Sequence, residues 1–125
     1  MSKVSPAIRK SGGSEKDVLD IGALKSRIHD NPESLQKLKQ MFFKDQPPLI
    51  QSIQKAAEQE DNEKLVYAAY SLKSMLSYLF APRGYRAALE LEVTAMSQNM
   101  KNVSSKVIFL EAELERIAVV LDEME

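Results

Sequence analysis

Along this chain apolar side chains return every three or four positions from Asp20 onward, and no stretch alternates apolar and polar residues as a half-buried strand would. The pattern predicts an all-α domain. A short first helix fits DIGALKSRIHD, with Asp20 as its N-cap and Ile21, Leu24 and Ile28 on one face. Asn31 and Pro32 then open a second helix, since a proline in the first turn lacks only a donor that would have no partner there. Leu35, Leu38, Met41 and Phe42 form its apolar stripe. Pro47 and Pro48 each remove a backbone donor and crowd the turn before them, so a kink or break is expected near Gln46 before helix resumes through LIQSIQKAAEQ. Asp61 or Asn62 caps the next helix, which spans Glu63 to Phe80 and ends before Pro82. PRGYRAALELEVTAMSQNM begins another, NVSS makes a short connection, and the last helix carries Val107, Leu110, Leu114, Ile117, Leu121 and Met124 as a packing seam. Four long amphipathic helices with short connections predict an antiparallel up-down four-helix bundle, with the short N-terminal helix as a lid. The seam serves either the inside of that bundle or a coiled-coil dimer; it lasts under three heptads, which favours the first and a monomer over an oligomer.

Residues 1–16, rich in Ser, Gly and Lys and without periodic apolar positions, read as a flexible leader to a domain over 17–125. Composition narrows the function further. A net charge of −1 and a pI near 5.9 give no overall attraction for nucleic acid or an anionic membrane, so neither is an expected partner. The absence of cysteine excludes disulfides, thiol catalysis and thiolate metal sites, and with no signal or membrane-spanning segment a cytoplasmic location is expected. No phosphate loop, Ser-His-Asp set or metal-ligand spacing appears, so neither a cofactor nor a metal is expected.

The stretch VYAAYSLKSMLSYLF holds the candidate site. At 100° per residue Leu65, Ala69, Leu72, Leu76 and Leu79 share one arc, the buried stripe. Val66, Tyr70, Lys73, Ser74 and Ser77 share another, so Tyr70 is expected exposed or at an edge. A boundary tyrosine lies flat on its apolar neighbours with its hydroxyl in water. A tyrosine and a lysine beside small serines also suit recognition, an aromatic anchor that a partner can approach closely.

AAYSLKSMLSYLFAPRGYRAALELE resembles the signature of histidine phosphotransfer (HPt) domains, four-helix bundles that relay phosphoryl groups in bacterial two-component signalling and read approximately A-H-x-L-K-G, then L-G, then L-E. Ala69, Leu72, Lys73, Leu79, Ala81, Ala88, Leu91 and Glu92 take the family's positions, and the likeness covers roughly residues 18 to 124. It departs where the chemistry lies: Tyr70 stands for the phosphorylatable histidine, Ser74 and Phe80 for glycines, and Gly84 for a leucine. The family's imidazole takes a phosphoryl group from an aspartyl phosphate and returns it, with the lysine offsetting oxygen charge. An imidazole with its usual pKa of ~6.5 is largely neutral and nucleophilic near pH 7, whereas a phenol, at ~10, is about one part in a thousand phenolate. A tyrosyl phosphate is moreover an ordinary ester, too low in transfer potential to pass its phosphoryl group to an aspartate.

The resemblance therefore implies a degenerate HPt-like module, not an enzyme, that binds a response-regulator receiver domain or a histidine kinase without carrying phosphate. Its docking patch would comprise Val66, Tyr70, Lys73, Ser74 and Ser77, with Leu49, Ile50 and Ile53 of the second helix. Two alternatives stay open, a switch phosphorylated at Tyr70 by a tyrosine kinase and a helical scaffold that oligomerises through its last helix. His29, the one histidine, lies at the end of the short helix beside Asp30 with none of the x-L-K-G surroundings, and the helix dipole accounts for it. Glu90, Glu92, Glu111, Glu113 and Glu115 read as solvated or locally paired charges, and Met41, Met75, Met96 and Met100 as core filler.

Overall fold

The computed structural model describes residues 15–124, so the leader expected over 1–16 lies almost entirely outside the described residues. Six helices follow one another: α1 (Glu15–Val18), α2 (Ile21–Arg27), α3 (Pro32–Glu58), α4 (Asn62–Tyr78), α5 (Pro82–Met96) and α6 (Val103–Glu123). Side-chain caps set three of the starts. Asp20 accepts from the Ala23 amide, Asn31 from the amides of Glu33 and Ser34, and Asp61 from that of Lys64, each satisfying a donor that the first turn leaves without a helical partner.

The helix ends are made differently. His29, Asp30, Glu60, Phe80 and Gln98 all have positive φ, between 53° and 62°, in a backbone region that glycine enters far more cheaply. At three of these ends the paired hydrogen bonds of a Schellman closure are present: Asp30 to Lys25 with His29 to Ser26, Asp61 to Ala56 with Glu60 to Ala57, and Ala81 to Leu76 with Phe80 to Ser77. The single histidine of the chain is thus a helix-terminating residue, exposed at the close of α2.

Helices α3 to α6 form the expected bundle: each packs on its neighbours in sequence, and α3 closes the ring against α6. Phe42, Ile53, Leu65, Leu72, Leu76, Leu91, Leu110, Ile117 and Leu121 are its innermost residues. All six seam positions of the last helix are buried within the bundle, and that helix already begins at Val103, inside the NVSS stretch read as a connection. Lys39 of α3 donates to the carbonyls of Asp122 and Met124, a cation at the negative end of α6. The short helix α2 is tied across the end of α4, with the Asp20 amide donating to the Phe80 carbonyl at 2.8 Å and Arg27 Nη1 to the Tyr78 carbonyl at 3.2 Å. Val18 and Leu19, which precede the first expected helix, are buried in the core.

Of the kink or break expected near Gln46, the break is absent: α3 runs through Pro47 and Pro48 as a single helix. The two prolines forfeit amide donors to the carbonyls of Phe43 and Lys44, but both of those residues are exposed, so water can serve the carbonyls. Packing supplies the continuity. Phe42 before the prolines and Ile53 after them are fully buried, and a separation of eleven residues is three helical turns to within about 20°, so one helical face serves both. Among the described residues no helix is long and apolar enough to cross a membrane.

Candidate functional site

The buried stripe of α4 is as the spacing predicts, with Leu65, Ala69, Leu72, Leu76 and Leu79 inaccessible. Tyr70 is 53% exposed, Ser74 and Ser77 are exposed, and Val66 and Lys73 are half-buried on the same flank. Lys73 organises the position. Its ammonium lies 2.7 Å from Glu92 Oε1 on α5 and 4.8 Å from the centroid of the Tyr70 ring. The cation is drawn to the ring face while the carboxylate fixes it from the other side. The hydrogen bond that Lys73 donates to Glu92 holds the Lys73 pKa above its ordinary value against partial desolvation, and the charge of Glu92 and the phenols of Tyr85 and Tyr70 add to the rise. With a lysine side chain only 17% exposed and the carboxylate beneath it, Tyr70 presents an aromatic face over a cation already neutralised from within.

Glu92 corrects the reading of it as a solvated charge. It is buried at the α4–α5 contact, and the Lys73–Glu92 pair joins the two ends of the sequence motif, the lysine of A-x-x-L-K and the glutamate of L-E. Glu113 is a second correction. It is 0% exposed, accepts from Arg83 at 2.6 Å and Arg116 at 2.8 Å, and ties α5 to α6 on the flank of α5 away from Tyr70. Its other oxygen, Oε1, is buried with no hydrogen-bond partner. Met96 is exposed and so is not core filler.

The docking patch expected from the sequence is divided. The five α4 residues stay together, but Ile53 is fully buried in the core and can offer no side chain to a partner. Leu49 and Ile50 are half-buried, and Leu49 lines a groove between α3 and the other flank of α4, with Ala56, Tyr67 and Ala68. Helical spacing explains the split: at 100° per residue Ile53 falls between Leu49 and Ile50 on α3, so it takes the centre of the stripe set by Phe42 and the other two flank it. Tyr67, 74% exposed, was missed. It falls just outside the arc drawn around Tyr70, yet it is the most exposed large hydrophobic residue on α4.

The two other departures from the phosphotransfer signature have local causes. Phe80 occupies the left-handed closing position of α4 with φ 58°, the conformation for which glycine is best suited. Its ring lies against Arg27, whose guanidinium carbon is 4.9 Å from it and 4.3 Å from the Tyr78 ring, so the strained residue gains a stacking partner from α2. Gly84 is buried in the first turn of α5, where a Cβ would stand 2.9 Å from Ile117 Cδ1 and 3.2 Å from Leu76 Cδ1. Those side chains fill the volume that a leucine would need.

Residues 37–119 match the family of the Hpt domain. That is well over half of the chain, and it contains Tyr70, Lys73 and Glu92. The chain belongs to the HPt family. It is accordingly a phosphorelay-related module, of a family whose members carry phosphoryl groups between receiver domains and kinases. No curated protein and no solved structure gives a significant match. The HPt segment contains no histidine, because His29 lies before it.

Proposed function

We propose that this HPt-family protein docks on a phosphorelay partner, a response-regulator receiver domain or a histidine kinase, without accepting phosphate, and so modulates the relay by occupying the partner's surface. The observation that carries the reading is an HPt segment without histidine in which an exposed tyrosine sits beside the motif lysine. Tyr70 acts in it as an anchor rather than a nucleophile. An aromatic ring held in place by Lys73 loses little conformational freedom on binding, which is what makes tyrosine effective at interface centres. The contact surface comprises Val66, Tyr70, Lys73, Ser74 and Ser77, and we add Tyr67 from the adjacent turn.

The test is binding to a panel of receiver domains and kinase domains from the same cell, with phosphotransfer from labelled donors measured in parallel. Saturable binding to at least one partner, weakened about tenfold or more by Tyr70→Ala, with no label on the protein, is the expected result. Label on the wild-type chain refutes the inert reading, and no binding across the panel refutes docking. Because the Tyr70 ring is accessible, mass spectrometry of protein from its own cells is a further check, and phosphate on Tyr70 would favour a kinase-driven switch instead.

A further inference from the structure

Away from Tyr70, a second concavity of ≈ 460 Å³ lies where α2, the start of α3 and the end of α4 meet. The cations that line it are Arg27 and Lys37, beside the His29 imidazole, and no carboxylate lines it. Asp30 and Glu33 are close in sequence but are not among the lining residues. None of these three side chains forms an ion pair with a carboxylate among the described residues. The chain as a whole is nearly balanced in charge, so a local set of uncompensated cations is a departure from its own average. The remaining walls are Ile28, Leu38, Met41 and the Tyr78 ring, with the polar Asn31 and Ser34 at the start of α3.

Arg27 is the fixed element. Stacking on Tyr78 and Phe80 orients the guanidinium, and of its five N–H groups one is engaged, by the Tyr78 carbonyl. A planar fork held in one orientation suits a carboxylate or phosphate, which it can meet with two parallel hydrogen bonds. The size lies within the range of small-molecule sites, and apolar walls with a few convergent polar groups are their usual composition.

We infer that this concavity binds a small amphipathic anion, an aromatic or short-chain acyl group bearing a carboxylate or phosphate. The anionic head meets Arg27 and Lys37, with His29 at the rim, and the apolar body lies on Ile28, Met41 and Tyr78. The inference stands apart from the docking role of Tyr70, since it concerns occupancy of this chain alone.

The experiment is an NMR titration of the full chain, labelled with ¹⁵N, using benzoate, phenyl phosphate, benzylamine, benzyl alcohol and inorganic phosphate as probes. Saturable shifts with benzoate or phenyl phosphate, in the millimolar range and centred on the amides of Ile28, His29, Lys37 and Tyr78, are expected, with none from benzylamine. Response to one anion and not the other identifies the head group. Lys37 is exposed and outside the packed core, so Lys37→Gln should leave the fold intact and weaken the anion about threefold. Arg27→Gln should weaken it more, with the spectrum of the free protein reporting whether α2 stays docked. Equal binding of benzylamine or benzyl alcohol, equal binding of inorganic phosphate alone, shifts centred elsewhere, or no saturation by either aromatic anion would each overturn the proposal.

Discussion

Two carboxylates on neighbouring helices, Glu92 and Glu113, leave solvent in this bundle, and they do so in opposite ways. Glu92 pairs across the α4–α5 contact with one lysine that is itself half-buried at the surface beneath an exposed tyrosine. Glu113 is closed off entirely and shared between Arg83 and Arg116. The first pair stands at the candidate site, where it holds a cation and an aromatic ring in one geometry. The second stands inside the scaffold and aligns α5 on α6. Burying a pair of charges costs solvation that their attraction recovers only with good hydrogen bonding, so a pair retained in the interior is better understood as fixing how the helices meet than as adding stability. The difference teaches where substitutions should be felt: at Glu113 in folding, at Glu92 in the presentation of Tyr70.

The contrast is open to attack, beginning with the closed pair. Glu113→Ala removes the buried carboxylate that Arg83 and Arg116 share and is expected to cost about 3–5 kcal/mol in denaturant unfolding; a loss under about 1 kcal/mol would show that the cluster relaxes into solvent. Gly84→Leu, which restores the residue usual in the family one position from Arg83, should cost about 1–3 kcal/mol by overpacking against Ile117 and Leu76. If the variant is as stable as the wild type, the close approach of α5 is not enforced at that point. Glu92→Gln should lose less stability than either, while altering Tyr70 fluorescence, since the ring keeps its position but not the fixed cation beneath it.

The pH dependence sharpens the same contrast. Because folding raises the Lys73 pKa, the stability this pair contributes is fully present below the unfolded value of ~10.4 and is lost as pH rises through the higher folded value. The stability difference between wild type and Glu92→Gln should therefore be constant from neutral pH to about pH 10 and shrink above it. The corresponding difference for Glu113→Ala rests on two arginines, which stay charged there, and should not shrink in that window. Matching alkaline slopes for the two variants would contradict the assignment.

Much of this architecture was legible along the chain, and what was not shares one physical origin. Caps at Asp20, Asn31 and Asp61 and the leucine stripe of α4 depend on residues within a turn or two, so spacing reveals them. The membership of Tyr70, Lys73 and Ser74 on one exposed flank followed from the same arithmetic. The burial of Glu92 and Glu113 did not, because what permits it is a cation on another helix, 19 residues away for Lys73 and 30 for Arg83. Continuity of α3 through Pro47 and Pro48 was hidden for a related reason: local chemistry opposes it, and the packing of Phe42 and Ile53 against the rest of the bundle decides otherwise.

The left-handed residues that close the helices have an engineering consequence. Glu60 and Gln98 are exposed and hold φ of 53° and 62° with no ring or guanidinium compensating them, unlike Phe80. Each keeps conformational strain of the order of 1 kcal/mol in the native state, which glycine would release. Glu60→Gly and Gln98→Gly together should raise the thermal midpoint by several degrees, so the bundle carries an untapped reserve of stability at its turns.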